Sequence, residues 1–141
     1  MNYNNILDLA SSLVTVKFGD EEARFRCAVG RTYFATYNCA VSVLRQVGFT
    51  VVKNSSGHES AYQQLFNCGN KEARIAARIL NDLRSSRNQA DYHLEDNSFR
   101  DLVTIKSLIE SGLDAVTKLE GCLDEPAKSD LVSHFQGESL T

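Results

Sequence analysis

One proline, Pro126, stands among the 141 residues, and this scarcity restricts the fold more than any other feature of the sequence. Proline breaks the interior of a helix because it lacks a backbone N–H and its ring clashes with the preceding turn. The first 125 residues contain no such break, and their apolar residues recur at spacings of three, four and seven. Thr50–Lys53 is briefly strand-like, but no segment shows a sustained two-residue alternation. The sequence therefore predicts an all-α bundle of four to five helices.

Five helical segments follow from this pattern. We expect helices over residues 4–17, 21–47, 58–66 and 71–87, and a last long helix that begins at Ser98. The second segment is apolar on most faces, which is typical of a central helix, and Gly30 within it is predicted to be a close-packing point. Residues 1–123 form the predicted domain. Residues 124–141 form a polar C-terminal tail, either with one short helix around Leu131–Phe135 or disordered.

The N-terminal segment lacks a basic stretch followed by an apolar core, and fully apolar runs are only a few residues long. These features predict a cytoplasmic protein without a membrane span. The four cysteines, Cys27, Cys39, Cys68 and Cys122, form no CxxC pair, which disfavours a zinc knuckle or a redox motif. We expect them to be reduced and buried. Neither a metal site nor a cofactor is predicted.

Charge is distributed unevenly along the chain. Residues 1–90 hold 11 basic and 7 acidic side chains, whereas residues 91–141 hold 4 and 11. A nucleic-acid surface, if one exists, belongs to the first part. On charge alone, an acidic C-terminal part that only aids solubility is the favoured explanation.

The segment that can carry chemistry runs from Arg87 to His93, at the end of the most basic predicted helix. Arginine holds a permanent charge and a fork that matches phosphate oxygens, and histidine exchanges a proton near neutral pH. Such a pair can promote attack of a ribose 2′-hydroxyl on its own phosphate. A surface ion pair between Arg87 and Asp91 is the simpler alternative. On an unbroken helix Arg87 and His93 would lie about 120° apart, so one phosphate would need a helix break or a second subunit to reach both.

Three segments, in the right order, resemble the HEPN family. Arg31–Asn38 (RTYFATYN) resembles its second-helix signature. Gly57-His58-Glu59, followed by Phe66, is similar to the start of the third helix in small stand-alone members. Leu83–Tyr92 (LRSSRNQADY) closely resembles the RNxADY segment of that branch, and Arg87 and His93, with five residues between them, fit its arginine–histidine motif. The resemblance covers about residues 5–120.

The resemblance implies an antiparallel helical bundle that forms a homodimer and acts as a metal-independent endoribonuclease, as a toxin or antiviral-defence effector. Arg87 and His93 would be the catalytic residues at the dimer interface, with RNA such as tRNA or mRNA as substrate. It also implies a cognate antitoxin, such as a nucleotidyltransferase. Toxins paired with such antitoxins usually have a tyrosine two residues after the histidine, where this chain has Glu95.

Six further residues are predicted to support the site. Asn88 would orient the phosphate or the histidine, and Asp91 would orient or tune His93. Tyr92 and Arg84 belong to the same basic segment. Arg31 is expected to hold the Arg87–His93 loop or to contact phosphate directly. His58 is either a polar helix cap, which its Ser-Ser-Gly context favours, or a second functional residue.

Two other classes of function stay open at this point. One is a non-catalytic HEPN module that binds a nucleotide or a partner protein, and the other is a purely structural helical adaptor.

Overall fold

The computed structural model describes residues 2–139. They form six α-helices and one short 3-10 helix, with no strand between residues 2 and 139. The α-helices are α1 (Tyr3–Leu13), α2 (Glu21–Gln46), α3 (Gly57–Phe66), α4 (Lys71–Tyr92), α5 (Leu102–Gly121) and α6 (Ala127–Ser139), and the 3-10 helix spans Asn97–Arg100. The predicted all-α bundle is confirmed. Its sixth α-helix, α6, lies in the C-terminal segment and comes in addition to the five predicted helices.

The long helix α2 is central, as its apolar faces predict. It packs against α1, α3, α4 and α5. Asp20 caps its first turn by accepting a hydrogen bond from the backbone N–H of Ala23 at 2.9 Å. The larger core lies around the C-terminal half of α2, and a smaller core lies around its N-terminal half. The smaller core consists of Phe25, Ala28, Val29, Ala90, Phe99, Ile105 and Ile109. It therefore anchors the end of α4 to α2 and α5.

The prediction that Ser98 begins the last long helix was wrong. Ser98 lies in the 3-10 helix, where its backbone N–H and its hydroxyl both donate to Asp96 Oδ1. α5 begins after Asp101, whose carboxylate accepts from the N–H of Val103 and the hydroxyl of Thr104. Aspartate takes the capping position because its carboxylate satisfies the N–H of Val103, which the first helical turn leaves unpaired, and also accepts from the Thr104 hydroxyl.

The close approach between helices occurs at Gly112 and not at Gly30, which corrects the prediction. A Cβ at Gly112 of α5 would collide with Thr32 Cγ2 and lie 3.2 Å from Thr36 Oγ1 of α2. Thr32 and Thr36 are fully buried and donate their hydroxyls to carbonyls one turn earlier. A Cβ at Gly30 would meet no atom within 4 Å. Gly30 therefore borders open space beside α2.

Helix α6 lies inside the segment 124–141, for which the sequence left a short helix and disorder open. It is 13 residues long, and its Leu131 and Phe135 are buried in the larger core. The ring centroids of Phe49 and Phe135 lie 5.7 Å apart. This part of the predicted tail is thus packed against the bundle, while residues 140 and 141 lie outside the described residues.

Cys39, Cys68 and Cys122 are buried, as expected, but Cys27 is exposed on α2, so the prediction fails for this residue. Burial raises the pKa of the Cys39 thiol to about 12 and that of Cys122 to about 11. None of the helices in residues 2–139 is both long and apolar enough to cross a membrane.

Candidate active site at the C-terminal end of α4

Helix α4 is one and a half turns longer than the sequence predicted. It continues through Tyr92, and His93 is its C-cap, whose backbone N–H donates to the Gln89 carbonyl at 3.0 Å. No glycine or proline interrupts residues 85–92, and Ala90 buries its methyl group in the smaller core. The helix therefore does not break between Arg87 and His93.

The buried stripe of α4 carries charge in its C-terminal half, although Leu83 and Ala90 stay buried there. Ala73, Ala76, Ala77, Leu80 and Leu83 are buried, at the spacing of three and four that defines one face. The same spacing continues to Arg84, Arg87 and Asp91. The side chains of Arg87 and Asp91 are 37% and 41% exposed. A face that packs as core at one end of the helix thus presents charge at a partly open surface at the other end.

Arg87 is held by its own helix. Its Nε lies 3.0 Å from Asp91 Oδ2, and its Nη1 donates to Asn88 Oδ1 at 3.2 Å. Its guanidinium carbon lies 5.9 Å from the centroid of the Tyr92 ring, whose side chain is exposed. The i,i+4 ion pair is therefore present. Asp91 pairs with Arg87 and makes no hydrogen bond to His93 within residues 2–139, so it does not orient the imidazole there; that it tunes His93 stays a prediction.

His93 is paired with a different carboxylate. Its Nδ1 lies 3.2 Å from Glu95 Oε1, and its side chain is 52% exposed. The pKa of Glu95 is lowered, first by a hydrogen bond from its own backbone N–H and then by the His93 side chain. Glu95 is thus the residue that orients the imidazole. The structure brings Arg87 and His93 to the same helix end, and within residues 2–139 no hydrogen bond joins their side chains.

Arg26 holds the loop that leads away from His93. This side chain of α2 is only 7% exposed. Its Nη1 donates to the carbonyls of Ala90 at 2.8 Å and His93 at 3.1 Å, and its Nη2 to those of Leu94 at 3.2 Å and Asp96 at 2.8 Å. A cation is well placed there, because the last carbonyls of a helix have no intrahelical donor and carry partial negative charge.

The loop-holding role that the sequence assigned to Arg31 thus belongs to Arg26, and a direct phosphate contact by Arg31 stays a prediction. Arg31 is exposed, and its guanidinium carbon lies 5.0 Å from the Phe34 ring centroid. The two arginines are five residues apart, so they point to different sides of α2. Arg26 lies four residues before Gly30 and seven before Tyr33, on the side of α2 that faces α4 and α3. This spacing is the sequence signal that could have identified it.

His58 is buried, so the interpretation as a helix cap was wrong. It is 6% exposed, and its Nδ1 lies 2.9 Å from the Tyr33 hydroxyl oxygen. Its ring lies 5.6 Å from that of Tyr33 and 6.2 Å from that of Tyr37, centroid to centroid. Gly57 lets the three rings meet, because a Cβ there would lie 2.6 Å from the Tyr37 hydroxyl oxygen. We call Tyr33, Tyr37 and His58 the aromatic cluster.

Positive charge adjoins the aromatic cluster. Burial lowers the pKa of His58, and the Arg84 guanidinium lowers it further, against the opposite effects of Asn81 and Glu59. Burial raises the pKa of Tyr33, and Arg84 and Arg87 oppose that shift. His58 is therefore neutral near pH 7. Asn81 lies close enough to affect His58, but no hydrogen bond of ordinary geometry reaches His58 Nε2 from residues 2–139.

Comparisons with known proteins add no further constraint to this site. No family model, no curated protein and no solved structure matches the chain. Within residues 2–139, no three or more His, Cys, Asp or Glu side chains are grouped so that they could hold a metal ion.

Proposed function

We propose that this protein is a metal-independent endoribonuclease of the HEPN type that acts as a homodimer. Arg87 and His93 are its catalytic residues. One observation carries the proposal: the buried face of α4 continues into Arg84, Arg87 and Asp91, which stay partly open toward the helix end that His93 caps. Charged side chains on the face that elsewhere forms the core favour an anionic ligand at this place.

In the proposed reaction the ribose 2′-oxygen attacks the adjacent phosphorus, and the bond from phosphorus to the 5′-oxygen of the next nucleotide breaks. A neutral His93 takes the proton of the 2′-hydroxyl, and a protonated His93 gives a proton to the leaving oxygen. Arg87 stabilises the negative charge that develops on the phosphorane. The products are a 2′,3′-cyclic phosphate and a 5′-hydroxyl end, and Glu95 holds the imidazole in position.

The geometry of α4 supports a site shared by two subunits. Because the helix is unbroken through Tyr92, Arg87 and His93 leave it about 120° apart. A two-fold axis near the helix end would bring two copies of each side chain together and would supply both forms of histidine. Tyr92 and Leu94 are 70% and 71% exposed beside His93, and exposed aromatic and aliphatic groups of this size are typical anchors of an interface.

Wild-type protein incubated with total RNA and tRNA in EDTA should produce fragments that end in a 2′,3′-cyclic phosphate. DNA of the same sequence should stay intact because it lacks the nucleophile. Light scattering at tens of micromolar should show a dimer, since even modest interfaces associate at about this concentration. Mixing inactive Arg87→Ala and His93→Ala subunits should restore a small part of the activity, because the mixed dimer retains one arginine and one histidine at the cleft but lacks the second histidine.

A non-catalytic binding module is the second candidate, and a specific observation favours it. Arg87 and His93 are each already paired with a carboxylate, Asp91 and Glu95 respectively. Tight nucleotide or RNA binding without any turnover would support this alternative. An antitoxin of the nucleotidyltransferase type is a further proposed partner, and co-purification with the product of an adjacent gene would test it.

A further inference from the structure

Arg84 is a half-buried cation that no carboxylate within residues 2–139 pairs with. It lies one helical turn before Arg87, on the same side of α4. Arg87 has Asp91 as its partner, but among residues 2–139 Arg84 makes neither an ion pair nor a hydrogen bond. A partly desolvated guanidinium is costly unless an anion or an acceptor pairs with it. The patch around Arg84 thus holds positive charge that the described part of the chain, residues 2–139, does not neutralise by an ion pair.

The hydroxyl of Tyr33 is held in place on α2, near enough to Arg84 and Arg87 for both guanidinium groups to oppose the rise of its pKa. His58 Nδ1 lies 2.9 Å from it, and stacking against Tyr37 restricts the ring. A neutral imidazole with its proton on Nδ1 donates to the tyrosine oxygen. The phenolic O–H is then free to donate to another acceptor. His58 Nε2, buried and without a hydrogen-bond partner in residues 2–139, would in that tautomer be a bare acceptor, which is less costly than an unpaired N–H.

Open space lies next to Tyr33 on α2. Arg26 fixes how α2 runs along α4, because it binds the Ala90 carbonyl at 2.8 Å. Gly30 lies between Arg26 and Tyr33 on the same side of α2, and a Cβ at Gly30 would meet no atom within 4 Å. The surface of α2 beside Gly30, one turn before Tyr33, is thus open.

We propose that Arg84 and the Tyr33 hydroxyl form a second phosphate-binding subsite, which holds a neighbouring phosphate of the RNA strand whose scissile phosphate lies at Arg87. Arg84 supplies charge and a planar fork, and Tyr33, aligned by His58, supplies a neutral donor. The inference rests on the proposed ribonuclease function, because it takes an RNA strand as the ligand. His58 is a positioning residue in this arrangement and does not touch the RNA.

Binding of a single-stranded RNA with 2′-O-methyl groups throughout, which cannot be cleaved by 2′-hydroxyl attack, tests the subsite. Its affinity is measured at several salt concentrations for wild type, Arg84→Gln, Tyr33→Phe and the control Arg78→Gln. Arg78 is exposed on α4 and lies over the Phe66 ring at 5.5 Å. Each phosphate contact contributes about −0.7 to the salt slope of single-strand binding.

Arg84→Gln should lose about 0.7 of that slope and about tenfold in affinity; tenfold corresponds to about 1.4 kcal/mol, near the lower end of what a hydrogen bond to a charged group is worth. Tyr33→Phe should weaken binding with an unchanged slope, because it removes a neutral donor. Arg78→Gln should leave the slope as in wild type. Equal slopes for Arg84→Gln and Arg78→Gln would overturn the subsite. Melting curves identify a variant that has lost its fold, and Arg84→Lys, which keeps the charge, should regain the slope.

Two further measurements are added. A cleavage assay separates the subsite from the proposed ribonuclease function, and a competition assay separates RNA from free phosphate as the ligand. Unmodified RNA is assayed for cleavage in parallel. Tight binding without cleavage, with the slope lowered in Arg84→Gln, would contradict the ribonuclease activity and support the subsite. Cleavage by a protein whose salt slope is unchanged in Arg84→Gln would support the ribonuclease activity and contradict the subsite. Binding by neither RNA would overturn both. Inorganic phosphate, added at the same concentration as the phosphate groups of the RNA and at constant ionic strength, should not displace the strand. Displacement under these conditions would identify free phosphate as the ligand of the site.

Discussion

The guanidinium of Arg26 donates to the backbone carbonyl of His93 at 3.1 Å, and so α2 holds the residue at which α4 ends. The same guanidinium lies 4.8 Å from the Phe99 ring centroid and 3.7 Å from a Glu22 carboxylate oxygen. The position of the His93 backbone is thus determined by a buried side chain 67 residues earlier in the chain.

Arg26→Ala should lower the free energy of unfolding by about 3 kcal/mol, because several partly buried carbonyls lose a charged donor at once. Urea titration measures the effect. Arg31→Ala is the matched control, since Arg31 is an exposed arginine on the same helix. That variant should stay within about 0.5 kcal/mol of wild type. Equal stability of the two variants would show that the carbonyl bonds of Arg26 do not stabilise the fold.

The fold was largely predictable because apolar periodicity in a chain with one proline leaves few alternatives to helices. The errors came from positions where local signals compete. Ser98 and Asp101 both offer capping oxygens, and the sequence does not show which one the tertiary structure selects. The C-terminal segment looks polar, yet the i,i+4 pair Leu131 and Phe135 is enough to pack α6 against the core.

The candidate site was predictable in its position and less so in its contacts. The basic segment and the Arg87–Asp91 ion pair follow from spacing along one helix. The contact of Arg26 with residues 90–96 joins parts of the chain that are far apart in sequence, which periodicity cannot show. His58 follows an ordinary helix-entry sequence, and only the packing of α3 on α2 shows that it is buried beside Tyr33.

Stability should depend on pH through His58. Its folded-state pKa is lowered from 6.5, so the unfolded chain binds this proton more readily. The free energy of unfolding therefore rises with pH between the lowered pKa and 6.5, and the effect disappears above 6.5. His58→Gln cannot titrate, so its stability should fall less steeply than that of wild type as the pH drops below 6.5. Urea titrations across this range measure both slopes, and indistinguishable slopes would contradict the assignment.

Gly30 of α2 and Gly112 of α5 should respond in opposite directions to substitution by alanine. Gly112→Ala should destabilise the protein by about 1–3 kcal/mol, because the new methyl group collides with Thr32 in a packed interface. Gly30→Ala should stabilise it by about 0.5–1 kcal/mol, because the methyl group meets open space and alanine favours the helix. Thermal melts of both variants measure these changes in stability. Destabilisation by Gly30→Ala would mean that this side of α2 is closely packed after all.

The comparison that tests the central claim most directly is RNA cleavage in EDTA by wild type, His93→Ala, Arg87→Ala and the control Arg78→Ala, each purified identically. His93→Ala should lose about 10²–10⁴-fold in rate because the proton-transfer group is gone. Arg87→Ala should lose about 10²–10³-fold, by analogy with a lost oxyanion donor. All four proteins should melt alike, since the exposed Arg87–Asp91 pair contributes at most about 1 kcal/mol. We predict cleavage by wild type and Arg78→Ala only, and equal cleavage by all four, or by none, would contradict the assignment of Arg87 and His93 as catalytic residues.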